Sequence, residues 1–145
     1  MFKPGGESEL RNWVRKSTKD KARWVEYARG GTIGHTDIWV PVDNWVVFVE
    51  LKMGVIFGSK LSFNVRPDQR GFMRDLERDR VAGGFLIGIA GTEDVLFLGG
   101  QAESCSGEIL AERVSKQRGC MRIGRHEPDR IWDGLKFIAS SMGMT

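Results

Sequence analysis

The segment from residue 45 to residue 52 constrains the fold of this chain more than any other. It begins with five apolar residues (WVVFV) and continues with Glu50, Leu51 and Lys52. An apolar run of this length is typical of a buried β-strand. Successive side chains of a strand point to opposite faces, so Glu50 and Lys52 share one face and Leu51 lies on the other. We therefore expect a carboxylate and an ammonium side by side in a poorly solvated place.

The pattern on either side of this strand predicts a mixed α/β fold. Apolar residues at helical spacing predict helices over 7–17, 67–80, 108–116 and 128–142. Short apolar runs bounded by turn residues predict strands over 23–29, 37–42, 85–90 and 95–98. Asp43 and Asn44 are expected to join strands 37–42 and 45–52 as a hairpin, and the glycine-containing stretch 53–65 is expected to be a mobile loop.

Length and composition suit a single globular domain. A chain of 145 residues, 41% of them hydrophobic, can bury a core without disulfides or structural metals. Cys105 and Cys120 form no CxxC pair, no apolar stretch reaches about 18 residues, and the first residues lack a secretory signal. We expect a cytoplasmic protein with no membrane partner. Its core is predicted over 1–100, and residues 101–145 are predicted to be a C-terminal helical extension of the same domain.

A second carboxylate, Asp37, opens the strand that precedes the apolar one. If the two strands pair through the predicted turn, Asp37 and Glu50 lie near the same end of the hairpin and can share a cation. Two carboxylates held close together repel each other, and a hard ion such as Mg²⁺ or Mn²⁺ relieves that repulsion. Such an ion polarises a phosphoryl oxygen, while Lys52 can orient the attacking water. This arrangement outlines a site for phosphodiester hydrolysis.

Positive charge is concentrated before these carboxylates. The net charge is +3, yet residues 11–29 alone hold seven basic and two acidic residues, a local net of 7 − 2 = +5. A basic face fits contact with phosphates, and a solvated helix surface explains it equally well. The candidate DNA-binding residues are Arg11, Arg15, Lys16, Lys19, Lys21, Arg23, Arg29, Lys60, Arg66 and Arg70.

Asp37 followed by Glu50-Leu51-Lys52 at the end of an apolar strand resembles the signature of the PD-(D/E)xK nuclease superfamily. The stretches 34–37, 48–52 and 67–69 are similar to those of the VRR-NUC group and of phage and archaeal Holliday-junction resolvases. The resemblance spans residues 7–98 and implies a restriction-endonuclease-like core, in which a mixed sheet of order α-β-β-β-α-β is flanked by helices, here with extra C-terminal helices. One departure is Thr36, which stands where the pattern usually has proline.

The resemblance also implies roles for individual residues. Asp37, Glu50 and the backbone carbonyl of Leu51 are expected to be metal ligands, and Lys52 the catalytic lysine. A glutamate of the first helix is expected to join the site, with Glu9 preferred by position and Glu7 as the alternative. Gln69 matches a glutamine that opens the second helix and faces the site.

Each of these residues also has an ordinary structural interpretation. Glu50 and Lys52 can form a surface ion pair, and Asp37 can cap a turn. Glu9 can simply favour the helix dipole, and Gln69 can be a polar residue of a first helical turn.

The functional expectation is a Mg²⁺-dependent endonuclease that cleaves DNA, with a preference for branched DNA or Holliday junctions because a chain this short has no separate sequence-reading domain. A junction needs two active sites, so a homodimer is expected. Its candidate interface is an apolar stripe at Ile131, Trp132, Leu135 and Ile138, which a protein core explains as well.

Such an enzyme suits a phage acting in the host cytoplasm. The alternatives are a restriction-like or repair nuclease acting on linear or single-stranded DNA, and a nucleic-acid-binding protein that keeps the fold without turnover.

Overall fold

A computed structural model describes residues 1–25 and 36–143 of the chain. Within them the protein is α/β, with a mixed and mostly antiparallel sheet flanked by helices, as the sequence predicted at this level. The helices are α1 (Glu7–Ser17), α2 (Pro67–Arg78), α3 (Ala111–Lys116) and α4 (Ile131–Ser141). The strands are β1 (Arg23–Trp24), β2 (Ile38–Val42), β3 (Trp45–Phe57), β4 (Lys60–Ser62), β5 (Ala82–Ile89), β6 (Asp94–Gly99), β7 (Glu108–Leu110) and β8 (Met121–Gly124).

The main sheet has the strand order β1-β2-β3-β5-β6-β8. Only the pair β3–β5 is parallel within this described sheet, and α2 lies in the chain between these two strands. The other neighbours are antiparallel, including the hairpin β2–β3, which turns through Asp43 and Asn44 as predicted. The last three residues of β3, 55–57, extend beyond β5 and pair with β4, which in turn pairs with β7.

Helices cover both faces of the sheet. On one face α1 and α4 pack on alternate residues of β2 and β3, such as Val40 and Val49. On the other face Met73 and Leu76 of α2 pack against β5 and β6. Every residue of β5 is buried, as expected for a central strand covered on both sides.

The predicted loop over 53–65 is wrong. Residues 53–57 continue β3, and β4 follows after a two-residue turn at Gly58 and Ser59. Gly58 has φ +63°, which suits the first central position of a tight hairpin turn. The alternation of exposed Lys60, buried Leu61 and exposed Ser62 is that of a strand with one covered face. Gly54 and Gly58 interrupt the alternation of apolar and polar residues, so the sequence predicted a loop here.

Strand β5 starts earlier than predicted, because Gly83 and Gly84 belong to it. A Cβ at Gly84 would lie 2.2 Å from the carbonyl oxygen of Leu98, so this glycine serves close approach between β5 and β6. The C-terminal part contains the two expected helices, but residues 108–110 form β7 instead of the start of α3, and β8 joins the main sheet beside β6. The region from 101 onward is therefore not purely helical.

Three of the four residues in the apolar stripe of α4 belong to the core, and the fourth, Trp132, is partly buried against it. Ile131, Leu135 and Ile138 are fully buried against the sheet, so they are not available as an interface between subunits. Cys105 and Cys120 are both buried and free. Among the described residues, the helices are too short and too polar to cross a membrane. Of the strand predicted over 23–29, β1 accounts for Arg23 and Trp24, and residues 26–29 lie outside the described residues.

Candidate active site

The carboxylates predicted to form the site meet on the face of the sheet that α2 covers. Ile38 pairs with Val49 at the end of the β2–β3 ladder, so the next residues outward, Asp37 and Glu50, are neighbours. Glu50 and Lys52 point to the face opposite Val49 and Leu51, as the strand period predicted. A pocket of about 260 Å³ opens here, which we call the candidate pocket. It is lined by Glu7, Arg11, Asp37, Glu50, Leu51, Lys52, Met53, Asn64, Arg66 and Gln69.

Gln69 connects the residues of this pocket. It is the third residue of α2, and its carbonyl Oε1 accepts a hydrogen bond from the backbone N–H of Arg66 at 3.1 Å, which anchors the start of the helix. The same oxygen accepts a hydrogen bond from Lys52 Nζ at 2.7 Å. Its amide Nε2 donates to Glu50 Oε1 at 2.6 Å. The side chain of Gln69 therefore fixes both Glu50 and Lys52.

Glu50 carries the most perturbed carboxyl of the site. The residue is 4% exposed, and its pKa is raised from 4.5 to about 8, chiefly by burial and also by the nearby Asp37 carboxylate, while Lys52 opposes the shift. Lys52 Nζ lies 3.8 Å from Glu50 Oε1. Burial lowers the pKa of Lys52, and the charge of Glu50 opposes that shift. Desolvation thus favours the neutral, protonated carboxyl of Glu50 and the neutral, deprotonated amine of Lys52.

Asp37 is held by the backbone of β3 and by α1. Its Oδ2 accepts a hydrogen bond from the N–H of Leu51 at 2.8 Å, and its Oδ1 lies 3.7 Å from a guanidinium nitrogen of Arg11. The N–H and C=O of one strand residue point to the same side, so the carbonyl of Leu51 is directed toward the edge where Asp37 lies. Thr36, which replaces the usual proline, is buried and donates its hydroxyl to the carbonyl of Ile38 at 3.0 Å.

These donors fit a small hard cation. Asp37 and Glu50 offer carboxylate oxygens and Leu51 offers a carbonyl, and burial together with the nearby Asp37 carboxylate raises the pKa of Glu50. Mg²⁺ commonly binds through only one or two carboxylates and completes its shell with water and phosphate oxygens. Within residues 1–25 and 36–143, no group of three or more Asp, Glu, His or Cys side chains is placed to hold a metal. A cation at this site would therefore depend on two acidic side chains and a carbonyl.

The carboxylate of α1 that lines the candidate pocket is Glu7, whereas Glu9 does not line it. Glu9 Oε2 instead pairs with Arg125 at 3.2 Å and lines a separate pocket with Asn12 and Lys16. The preference for Glu9 is thus corrected in favour of the alternative.

The predicted DNA-binding residues divide into two groups. Arg11 and Arg66 line the candidate pocket. The others lie outside it. Near α1 and β1, Arg15 stacks with Arg11 on Trp24, Lys16 lines the pocket of Glu9, Lys19 is exposed, Lys21 lies over Trp132, and Arg23 donates to the carbonyl of Asp20. Further along the chain, Lys60 pairs with Glu108, and Arg70 donates to the carbonyl of Val65. Arg29 lies outside the described residues.

Two residues line the candidate pocket in positions that the sequence did not predict. Asn64 follows β4 and enters the pocket because residues 53–65 form a hairpin instead of a loop. Arg11 was predicted only as a phosphate contact, yet it lies beside Asp37 and stacks on Trp24 at 4.5 Å from the ring centroid. Neither contact has a local sequence signal, because each joins elements far apart in the chain.

No known family model matches this sequence, and no curated protein matches it either. The assignment of a function therefore rests on the site itself and on the resemblance of its residues to a nuclease signature.

Proposed function

We propose that this protein is a metal-dependent endonuclease that hydrolyses phosphodiester bonds of DNA, built on a restriction-endonuclease-like core. The observation that carries the proposal is the convergence of Asp37, Glu50 and Lys52 with Gln69 in one pocket. Their order along the chain and their strand positions are those of the PD-(D/E)xK signature. A surface ion pair on a strand edge is a weaker explanation, since Glu50 is 4% exposed.

Asp37, Glu50 and the carbonyl of Leu51 would hold the cation. A bound Mg²⁺ or Mn²⁺ supplies Lewis-acid chemistry, polarising a phosphoryl oxygen and lowering the pKa of a water. Lys52, with its lowered pKa, is suited to orient or deprotonate the attacking water when neutral, and to stabilise developing negative charge when protonated. Gln69 keeps Glu50 and Lys52 in place through its two hydrogen bonds. Arg11 and Arg66 at the rim would bind phosphates on either side of the scissile bond.

The preference for branched DNA follows from the resemblance to junction resolvases. A homodimer is proposed on the same ground, because a four-way junction is cleaved at two symmetric positions. Of the α4 stripe, Ile131, Leu135 and Ile138 are fully buried, which leaves Trp132 as its partly exposed residue.

The test is cleavage of a labelled four-way junction and of a matched linear duplex, each with Mg²⁺ and with EDTA. We expect cleavage only with Mg²⁺ and a faster rate on the junction. Lys52→Ala and Glu50→Ala should each lower the rate by at least about 100-fold while leaving the fold and much of the DNA affinity intact. Lys116→Ala is the matched control, because Lys116 is an exposed lysine paired with Glu112 on α3.

Three outcomes separate the alternatives. Equal cleavage of junction and duplex would favour a restriction-like or repair nuclease. Binding without cleavage of either substrate would favour a nucleic-acid-binding protein that has kept the fold. Wild-type rates for Glu50→Ala or Lys52→Ala would show that the catalytic residues lie elsewhere.

A further inference from the structure

Arginine recurs at every fourth position from the edge of the candidate pocket along α2. Arg66 precedes the helix, and Arg70, Arg74 and Arg78 follow on it, forming what we call the arginine ridge. Residues four apart lie on neighbouring parts of one helix face, about 6 Å apart along the axis. The ridge thus presents cationic groups at a regular spacing close to that of successive phosphates along a nucleic acid strand.

The ridge lines a groove that no part of the proposed mechanism uses. Arg70, Arg74 and Arg78 form one wall, and Gly100, Ala102 and Cys105 lie opposite, around a volume of about 470 Å³. One acidic residue, Glu77, also lines the groove, and Arg78 is paired with Asp75 and Asp79, so Arg70 and Arg74 leave an excess of positive charge over Glu77. This balance favours an anionic occupant.

The central arginine is free to bind. Arg78 pairs with Asp75 and Asp79, and Arg70 donates to the carbonyl of Val65. Arg74 is exposed, and its guanidinium makes no hydrogen bond or ion pair with any residue that the structure describes. A guanidinium without a carboxylate partner on a helix surface can form a bidentate contact with a phosphate at little cost in existing contacts.

The groove begins about one helical turn along α2 from the candidate pocket. Arg66 lines the pocket and Arg70 lines the groove, and Gln69 between them binds Glu50 and Lys52. A strand whose scissile phosphate lies at Glu50 can therefore pass from Arg66 onto the ridge. Two acidic residues lie along this path, Asp68, which pairs with Arg66, and Glu77, which lines the groove.

We propose that the arginine ridge binds the phosphate backbone of the DNA strand that extends from the candidate active site, with Arg74 as its central contact. This inference deepens the proposed function and rests on it. It adds Arg74 and Arg78 to the surface that binds DNA and gives the 470 Å³ groove an occupant, one strand of nucleic acid.

The test is the salt dependence of binding to a fluorescein-labelled four-way junction, measured by anisotropy in EDTA so that turnover plays no part. Arg74→Ala should weaken binding roughly 10-fold at low salt. It should also reduce the slope of log affinity against log salt by about 0.9, the value for one lost phosphate contact on duplex DNA. Arg74→Lys should restore most of the slope, because a lysine still neutralises a phosphate.

Arg118→Ala is the matched control. Arg118 is an exposed arginine between α3 and β8 that lines neither the groove nor the candidate pocket, and its loss changes the net charge by the same amount, from +3 to +2. It should leave the slope near the wild-type value. If Arg74→Ala and Arg118→Ala bind alike, the ridge does not contact DNA and the inference is overturned.

The same preparations distinguish this failure from failure of the proposed function. Wild-type protein that binds DNA through Arg74 but cleaves nothing with Mg²⁺ would overturn the nuclease and retain the ridge. Cleavage that is lost in Lys52→Ala, with binding unaffected by Arg74→Ala, would retain the nuclease and overturn the ridge.

Discussion

At the scale of single residues, the chemistry of the pocket depends on Glu50. Its carboxyl is buried beside Asp37 and accepts a hydrogen bond from Gln69, yet its only cation within 4 Å among the described residues is Lys52, at 3.8 Å. Without a metal, the pair of acids is most stable when one proton remains on it. Burial and the Asp37 carboxylate raise the pKa of Glu50 more than the charges of Lys52 and Arg66 lower it.

This raised pKa predicts how stability changes with pH when metal is absent. The pKa of Glu50 is 4.5 in the unfolded chain and about 8 in the folded protein, so between these values the folded protein binds more protons. The stability from Glu50 is therefore fully present below about pH 4.5 and is lost as pH rises through about 8. The slope is at most about 1.4 kcal/mol per pH unit.

Urea unfolding in EDTA at several pH values measures this slope. Glu50→Gln, which cannot ionise, should flatten the curve between about pH 5 and pH 8. The control is Glu112→Gln, which removes an exposed carboxylate paired with Lys116 and should follow the wild-type curve. A curve for Glu50→Gln as steep as that of wild type would show that another group carries the pH dependence.

Glu7 and Glu9 form a natural pair for testing which carboxylate of α1 serves the site. Glu7 lines the candidate pocket, whereas Glu9 pairs with Arg125. We expect Glu7→Gln to lower the cleavage rate roughly 10-fold, since it removes one charge beside the site. Glu9→Gln should keep the rate and cost at most about 1 kcal/mol of stability, the usual range for a partly exposed ion pair. Steady-state cleavage and thermal unfolding of both variants check this, and the reverse ranking of rates would restore Glu9 as the site residue.

The sequence predicted which side chains of β3 and α2 meet in the site, but it did not predict where α1 places Arg11. Glu50 and Lys52 share a face because of the strand period, and Gln69 faces them because it opens α2. The position of Arg11 beside Asp37 could not be predicted in the same way. It depends on how α1 packs across the sheet, where the chain separates the two residues by 26 positions, 37 − 11 = 26.

At the scale of elements, β3 is the unit that joins the site to its surroundings. Residues 45–54 pair with β2 or β5 and include Glu50 and Lys52, and residues 55–57 pair with β4. In the sequence, Gly54 favours a loop, but in the structure a Cβ at this position would lie 2.8 Å from Ile87 and 2.9 Å from Leu61. This glycine is needed because other side chains pack directly onto the strand, which composition alone does not reveal.

Two glycines with open space around them test the turn that ends β3. Gly58 and Gly71 have no atom within 4 Å of an added Cβ, but only Gly58 has a positive φ. Gly58→Ala should therefore destabilise the protein by about 1 kcal/mol, because alanine is strained in the left-handed region. Gly71→Ala, within α2, should stabilise it by about 0.5–1 kcal/mol through helix propensity. Chemical denaturation measures both, and equal effects would show that the turn imposes no constraint on position 58.

At the scale of the whole molecule, one sheet separates two layers of core. Ile131 and Leu135 belong to the layer under α1 and α4, and Cys105 and Cys120 belong to the layer under α2 and α3. Strand β5 contributes to both layers, since Leu86 packs on the first and Phe85 and Ile87 pack on the second. A strand buried on both sides couples the layers, because neither layer can open without exposing a face of β5.

This coupling predicts that damage to one layer exposes the thiols of the other. Cys105 and Cys120 are each 2% exposed, and burial raises the pKa of Cys105 to about 11, so neither should react with a disulfide reagent until the protein opens. Leu135→Ala removes a fully buried side chain from the opposite layer and should cost at least about 2 kcal/mol. If unfolding is cooperative, the thiols should then react at least about 30-fold faster under native conditions.

Leu110→Ala, at a position that is 50% exposed, should change the rate little. An unchanged rate in Leu135→Ala would mean that the thiols become exposed by local opening of their own layer, and that the two layers are not one cooperative unit.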